Sequence, residues 1–247
     1  MMRQFRSILP KGHVHSPYGA TEVLPVSSVS DDQILEFAQG KTENGAGTCV
    51  GRLLPGVEAR ILPLSEEALT AEALQRPLPA GEIGEIVVTG PSVTKAYDRL
   101  PEETRLSKIQ QGERTWHRIG DLGYFDADGL LWFCGRKVER VVTEEAVYYT
   151  DCCEGVVNPH PKVLRTALIG YEKGGKRVPA LVIEPKSGAY PKSGAEREAL
   201  LSEARAMAAA CPVTAGIETF FIHRSFPVDV RHNAKIHRLT LAKEFSR

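Results

Sequence analysis

Apolar positions recur along this chain with a spacing that changes near residue 137. Residues 12–28 read as extended pieces around a polar turn, Tyr18-Gly19-Ala20-Thr21-Glu22. Ser30 stands three residues before Gln33 in a capping-box arrangement, and Ile34, Leu35 and Phe37 follow, so a short helix is predicted there. Residues 40–47 form a loop by composition. From 51 to 136 the pattern is mostly that of strands. Residues 56–62 alternate, residues 83–89 are β-branched between glycines, and 115–134 read as strands around the turn Asp126-Ala127-Asp128-Gly129. Short helical pieces are predicted at 66–74 and 102–109.

After Gly135-Arg136-Lys137 the pattern restarts. Strands are predicted at 138–142 and 147–149, a helix at 152–157, and strands at 164–170 and 179–183 joined through Lys173-Gly174-Gly175-Lys176. Residues 185–194, with two prolines and two Lys-Ser-Gly copies, form a linker. Residues 195–210, rich in Ala, Leu, Glu and Arg, make the strongest helical pattern in the chain. A strand at 218–222 and a closing helix at 234–245 complete it. A β-rich part followed by a compact mixed part predicts an α+β chain in two units, 1–136 and 137–247.

Composition narrows the classes. Hydrophobic residues at 42% and charged residues at 25% are ordinary for a folded globular chain. Lysine plus arginine equal aspartate plus glutamate at 31 each, so charge predicts neither a nucleic-acid nor a membrane partner. The five cysteines are odd in number, two are adjacent, and none shows disulfide or zinc-ligand spacing, which predicts reduced thiols in a cytoplasmic protein. The basic start lacks the apolar run of a signal peptide, and no stretch approaches the ~20 apolar residues of a membrane span.

Four segments carry candidate chemistry, and each also has a plain structural reading. Tyr18-Gly19-Ala20-Thr21-Glu22 offers an aromatic plane, a glycine permitting close approach, a hydroxyl and a carboxylate. It could equally be a capped turn. Asp121, between Gly120 and Gly123 in a run beginning Trp116-His117-Arg118, could accept two hydrogen bonds from vicinal hydroxyls or simply sit in a strand bulge. Arg136 in Cys134-Gly135-Arg136-Lys137 could bridge ribose or phosphate oxygens, or lie on the surface. Lys235, in Asn233-Ala234-Lys235-Ile236, could be a solvated lysine.

Their order gives the set its meaning. Tyr18-Gly19-Ala20-Thr21-Glu22, Gly84-Glu85-Ile86-Val87-Val88, Gly120-Asp121-Leu122, Gly135-Arg136-Lys137 and Asn233-Ala234-Lys235-Ile236 resemble successive motifs of the adenylate-forming superfamily of acyl-CoA synthetases, luciferases and adenylation domains. Within it the chain is most similar to the β-lactone synthetases of bacterial olefin biosynthesis, through Gly45-Ala46-Gly47-Thr48-Cys49-Val50-Gly51-Arg52, Trp132-Phe133-Cys134-Gly135 and Phe226-Pro227-Val228-Asp229 as well. The resemblance implies that 1–136 is the mostly β C-terminal part of the large AMP-binding domain and 137–247 a small mobile α+β domain. It implies ATP and Mg²⁺ as cofactors and a fatty or β-hydroxy fatty acid as substrate. Tyr18 and Gly19 would hold adenine, Thr21 a phosphate oxygen, Glu22 magnesium, and Asp121 and Arg136 the ribose. Lys235 would be the catalytic lysine and Lys137 the hinge.

Departures from the family pattern carry their own expectations. The Ser/Thr/Gly-rich loop ending in lysine is absent. Thr42-Glu43-Asn44-Gly45-Ala46-Gly47-Thr48 and Lys173-Gly174-Gly175-Lys176 are decoys for it, the first without a following lysine and the second in the wrong place. A fragment lacking the upstream half, with little activity alone and an exposed edge favouring self-association, is therefore expected. The loop after the hinge reads Val142-Thr143-Glu144-Glu145-Ala146, with two carboxylates and no glycine, which argues against thioester formation. An acyl-CoA ligase and a non-catalytic binding module remain the competing readings.

Overall fold

The computed structural model describes residues 2–9 (backbone alone for 2–4), 11–229 and 235–246. Asn233 and Ala234 of the last motif lie outside the described residues, and the closing helix expected at 234–245 runs only from Arg238 to Phe245, since residues 235–237 are not helical. The fold is α+β, in two compact units: Met1–Gln39 with Thr48–Lys137, and Gly40–Gly47 with Val138–Arg247.

The first unit is built on antiparallel strands: β1 (His15–Ala20), β2 (Val23–Ser30), β3 (Thr48–Leu53), β4 (Glu58–Leu62), β5 (Gly84–Thr89), β6 (Lys108–Gln111), β7 (Arg114–Phe125) and β8 (Leu131–Arg136). They pair in the order β1-β2-β3-β8-β7-β5-β4, with β6 also on β7. Every residue of β5 is buried. Successive side chains of a strand point to opposite faces, and here both faces are covered. Ile86 and Val88 join Val23, Val26, Val50, Ile61, Ile119 and Leu131 in one cluster, while Val87 joins Leu62, Leu74, Ile109 and Trp116 in another. That double burial is why the segment reads as a β-branched run rather than an alternation.

Local chemistry explains where expected helices form and fail. Ser30 Oγ accepts from the Gln33 N–H at 3.3 Å and Gln33 Oε1 accepts from the Ser30 N–H at 3.0 Å, so the capping box is present. The helix it opens widens to a π turn at Ile34–Ala38 and continues through Gln39–Glu43, taking part of the expected loop. At 66–74, where a helix was expected, only the 3₁₀ turn Ala73–Gln75 forms. The Arg118 guanidinium takes the carbonyls of Ser65 and Glu67, at 2.6 and 2.7 Å, that a helix would need for itself. The helix Pro101–Ser107 ends early because residues 108–111 pair with β7 as β6.

The second unit contains a hairpin of β9 (Val141–Val142) and β10 (Val147–Tyr148), then β11 (Val163–Lys173), β12 (Lys176–Pro185) and β13 (Thr219–Ile222). Gly174 and Gly175, at φ 60° and 77°, make the two-residue turn between β11 and β12 that requires positive φ. β13 runs parallel to β12. Parallel pairing needs a crossover, supplied by the helix Gly194–Ala209, capped by Ser193. Leu168, Leu181, Ile183 and Phe220 face this helix and Thr150–Val157. Ile169, Ala180 and Val182 face the cluster that includes Ile236 and Leu241. The residue 40–47 segment packs in this unit, where the Cys211 thiol lies 3.5 Å from the Asn44 carbonyl. Among the described residues no helix is long and apolar enough to cross a membrane.

A buried charge cluster closes the first unit at its last residue. Arg118 forms two hydrogen bonds to Glu85, at 2.7 and 3.1 Å, and the Lys137 ammonium binds the Ser65 carbonyl and lies 3.4 Å from Glu85 and from Glu66. Removing one partner of a buried, hydrogen-bonded ion pair leaves the other charge uncompensated. Glu85→Ala is therefore expected to destabilise the first unit by about 3–5 kcal/mol, measured as a lowered urea midpoint. Exposed Glu58→Ala, whose partner is Arg114 at 2.7 Å on the surface, should change it little.

Candidate functional site

The turn between β1 and β2 is where the first motif lies. A Cβ on Gly19 would stand 2.5 Å from the Val23 carbonyl oxygen, so only glycine allows the strand to bulge and turn so tightly there. Thr21 and Glu22 occupy the turn itself, Thr21 exposed and Glu22 half-buried.

Three predicted residues come together. Tyr18 Oη donates to Asp121 Oδ2 at 2.7 Å, and Arg136 Nε lies 3.2 Å from Asp121 Oδ1. Asp121 and Arg136 are direct cross-strand partners on β7 and β8. Tyr18 is four strands away in the sheet order, about 19 Å on a flat sheet with ~4.8 Å between strands. A tyrosine cannot span that distance, so the sheet must curl to bring β1 over β7. The Tyr18 ring meets Phe133 at a 6.0 Å centroid separation. Burial, with the Asp121 carboxylate second, raises the Tyr18 pKa well above its ordinary value, so the hydroxyl stays protonated as a donor. Asp121 itself is buried, whereas the Arg136 side chain is half exposed and presents its outer face to solvent.

Glu22 is the centre of a second cluster that the sequence did not reveal. Tyr97 Oη donates to Glu22 Oε1 at 2.7 Å, and the Thr94 N–H donates to the Glu22 carbonyl at 2.9 Å. Lys108 Nζ donates to Thr94 Oγ1 at 3.0 Å and lies over the Tyr97 ring. His117, the cross-strand partner of Lys108, holds its Nδ1 3.3 Å from the Ser107 carbonyl. Burial alone would raise the Glu22 pKa, but hydrogen bonds from Tyr97 and its own backbone, with His117 and Lys108 nearby, bring it below the ordinary value. Burial and the Glu22 carboxylate push Tyr97 up to about 12. Burial, then the charge of Lys108, pushes His117 down to about 4. An ionised, half-buried carboxylate with one oxygen already oriented is the hard donor that a magnesium ion takes, so the residues present fit that metal. Tyr97 and Lys108 carried no sequence signal, since a lone tyrosine in a polar loop and a lone lysine before a strand have no period or motif.

The other predicted residues lie elsewhere. Lys137 is buried at the end of the first unit, in the cluster with Glu85. Lys235 belongs to the second unit, where its side chain is exposed and its carbonyl accepts from the Asp229 N–H at 3.0 Å. Three residues on, Arg238 grips Glu154 through two hydrogen bonds of 2.8 Å and Glu139 through one of 3.0 Å, fixing the start of the last helix. The Lys173–Lys176 segment is a hairpin turn, as its decoy reading required. The residue 143–146 loop is held tight by Thr143, whose hydroxyl accepts from the Glu145 and Ala146 N–H groups. With Glu144 paired to Lys176 at 3.1 Å, it lines a groove of about 630 Å³ in the second unit.

Comparison with known proteins bears on the fold and on the family likeness. Residues 1–98 match the family described as AMP-binding enzyme. The match covers about two fifths of the chain, and in this part the chain is similar to AMP-binding enzymes. It is 44% identical to the olefin β-lactone synthetase of Xanthomonas campestris pv. campestris over 98% of its own length and 44% of the relative's. It is 45% identical to that of Stenotrophomonas maltophilia over 96% of its length and 43% of the relative's. The chain thus spans less than half the length of these curated relatives. Its fold matches O-succinylbenzoate coenzyme A synthetase from Bacillus subtilis, determined in complex with AMP, with a TM-score of 0.69 at 23% identity, covering 98% of this chain and 43% of that one.

The depressed pKa of His117 sets a pH dependence. An unfolded histidine titrates near 6.5, above the folded value of about 4, so the unfolded state takes up the proton first as pH falls. Stability from this residue is fully present above pH 6.5 and declines toward pH 4, by up to roughly 3 kcal/mol. Urea unfolding at pH 7.5 and pH 5.0 should show this loss in the wild type and a smaller loss in His117→Gln.

Proposed function

We propose that this chain supplies part of an ATP-dependent, AMP-forming ligase that activates a β-hydroxy fatty acid and closes it to a β-lactone. The observation that carries the reading is the convergence of Tyr18 and Arg136 on the buried Asp121 carboxylate, beside a turn bearing Thr21 and Glu22. The substrate class is supported by the identity to olefin β-lactone synthetases over nearly the whole chain.

In the first half-reaction a carboxylate oxygen of the acid attacks the α-phosphorus of ATP. The new P–O bond forms as the bond to pyrophosphate breaks, giving an acyl-adenylate. Both reactants are anionic, so the task of the protein is to position them and neutralise crowded charge. The Tyr18 ring and Gly19 backbone hold adenine, Asp121 and Arg136 the ribose, and Thr21 a phosphate oxygen. Glu22 would hold magnesium, which would supply positive charge to the phosphates. Lys235 donates charge-assisted hydrogen bonds to the attacking carboxylate and the α-phosphate. In the second half-reaction the substrate's β-hydroxyl oxygen attacks the activated carbonyl and loses its proton, AMP departs, and a four-membered lactone forms.

Lys137 serves as the hinge between the half-reactions, a role supported by the parting of the two compact units immediately after it. Its buried side chain suits a fixed root for such a pivot. The tight, acidic 143–146 loop favours the intramolecular nucleophile over a phosphate-rich thiol.

In the intact protein, Lys235→Ala should lower ATP–pyrophosphate exchange by ~10²–10³ with little change in nucleotide affinity, by analogy with the loss of one oxyanion donor. Exchange at the wild-type rate would remove the role assigned to Lys235. Mass spectrometry of the products from a β-hydroxy fatty acid, ATP and magnesium should show lactone and AMP without coenzyme A. AMP release that depends on coenzyme A, with an acyl-CoA product, would assign the protein to the acyl-CoA ligases instead.

A further inference from the structure

The Glu22 carboxylate is reached by a segment distant in sequence, and the contacts on it are of two kinds. The Thr94 N–H binds the Glu22 backbone carbonyl at 2.9 Å, fixing the main chain at the turn. The Tyr97 hydroxyl binds one oxygen of the Glu22 side chain at 2.7 Å, fixing the carboxylate. The segment is itself secured at both of these points. The Thr94 hydroxyl accepts from Lys108 on β6, and the Tyr97 N–H donates to Thr104 Oγ1 at 3.0 Å in the following helix. Residues 94–97 therefore act as a strap across the β1–β2 turn, with both of its ends anchored.

We propose that Tyr97 is a positioning residue that pre-orients Glu22 for the divalent cation accompanying ATP, a role that rests on the reading of Glu22 given above. A glutamate at a half-exposed turn has three side-chain torsions to fix before it can bind a metal. A hydrogen bond to one oxygen removes most of that freedom and leaves the other oxygen as the ligand. Groups that orient metal ligands from behind typically contribute 10–100-fold to metal affinity. The Tyr97 hydroxyl is turned to the Glu22 carboxylate, so the expected effect is on the metal.

The test compares wild type, Tyr97→Phe and Glu22→Gln in the intact protein. Mn²⁺ binding is measured by electron paramagnetic resonance with a non-hydrolysable ATP analogue, and ATP–pyrophosphate exchange is measured against magnesium concentration. Tyr97→Phe should weaken Mn²⁺ binding by about tenfold. It should raise the magnesium needed for half-maximal exchange by a similar factor, while kcat at saturating magnesium and KM for the acid stay at wild-type values. A general structural defect would lower kcat and would not be rescued by metal. Mn²⁺ affinity unchanged in Tyr97→Phe but weakened in Glu22→Gln would overturn this inference and leave the functional reading standing. Mn²⁺ affinity unchanged in Glu22→Gln would overturn the metal role of Glu22 itself.

Discussion

A buried carboxylate that must be satisfied organises the first unit. Asp121 sits on β7 with almost no exposure to water, and an ionised carboxylate there has to be met by donors. Tyr18, from a strand four places away, donates a hydrogen bond to one oxygen, and Arg136, from the neighbouring strand, sets its positive charge 3.2 Å from the other. The curl of the sheet, the turn at Gly19 and the placement of Thr21 and Glu22 all follow from closing that contact. Arg136 remains half exposed, so the group that balances the Asp121 charge also faces outward.

Each unit also holds a cluster of charged side chains bound to one another, largely out of water. In the first, Glu85 accepts from both Arg118 and Lys137, Arg118 also takes the carbonyls of residues 65 and 67, and Lys137 that of residue 65. In the second, Glu154 and Glu139 hold Arg238, and Glu154 also accepts from the Leu168 N–H on β11. Such pairs add little net stability over apolar packing, but they define one geometry. Lys137 ends the first unit, and in the second Arg238 fixes the start of the helix three residues after Lys235.

The electrostatics around Glu22 are arranged to keep opposite charges unspent on one another. Lys108 is buried and bonded to Thr94, and His117 is neutral at physiological pH. The carboxylate is instead held by the neutral hydroxyl of Tyr97. A direct ion pair with lysine would have neutralised the oxygen that the proposed metal role of Glu22 leaves open. A hydrogen bond from a phenol orients it and leaves its charge in place.

The sequence by itself determined the alternation at 56–62, the capping box at Ser30 and Gln33, the Gly174-Gly175 turn and the order of the motifs. These depend on near neighbours: a cap spans three residues, a turn two, and a strand repeats every second residue. It also pointed to Tyr18, Asp121 and Arg136, because their family resemblance is carried by short local runs. Tertiary structure alone decided the rest. The helix expected at 66–74 was lost because Arg118, some fifty residues on, takes its carbonyls. Residues 40–47 joined the second unit through packing with Cys211 and Gly155. Tyr97 met Glu22 across a separation of 75 residues. A contact between residues so far apart leaves no local pattern, because it is made by the geometry of the folded chain and not by the spacing along it.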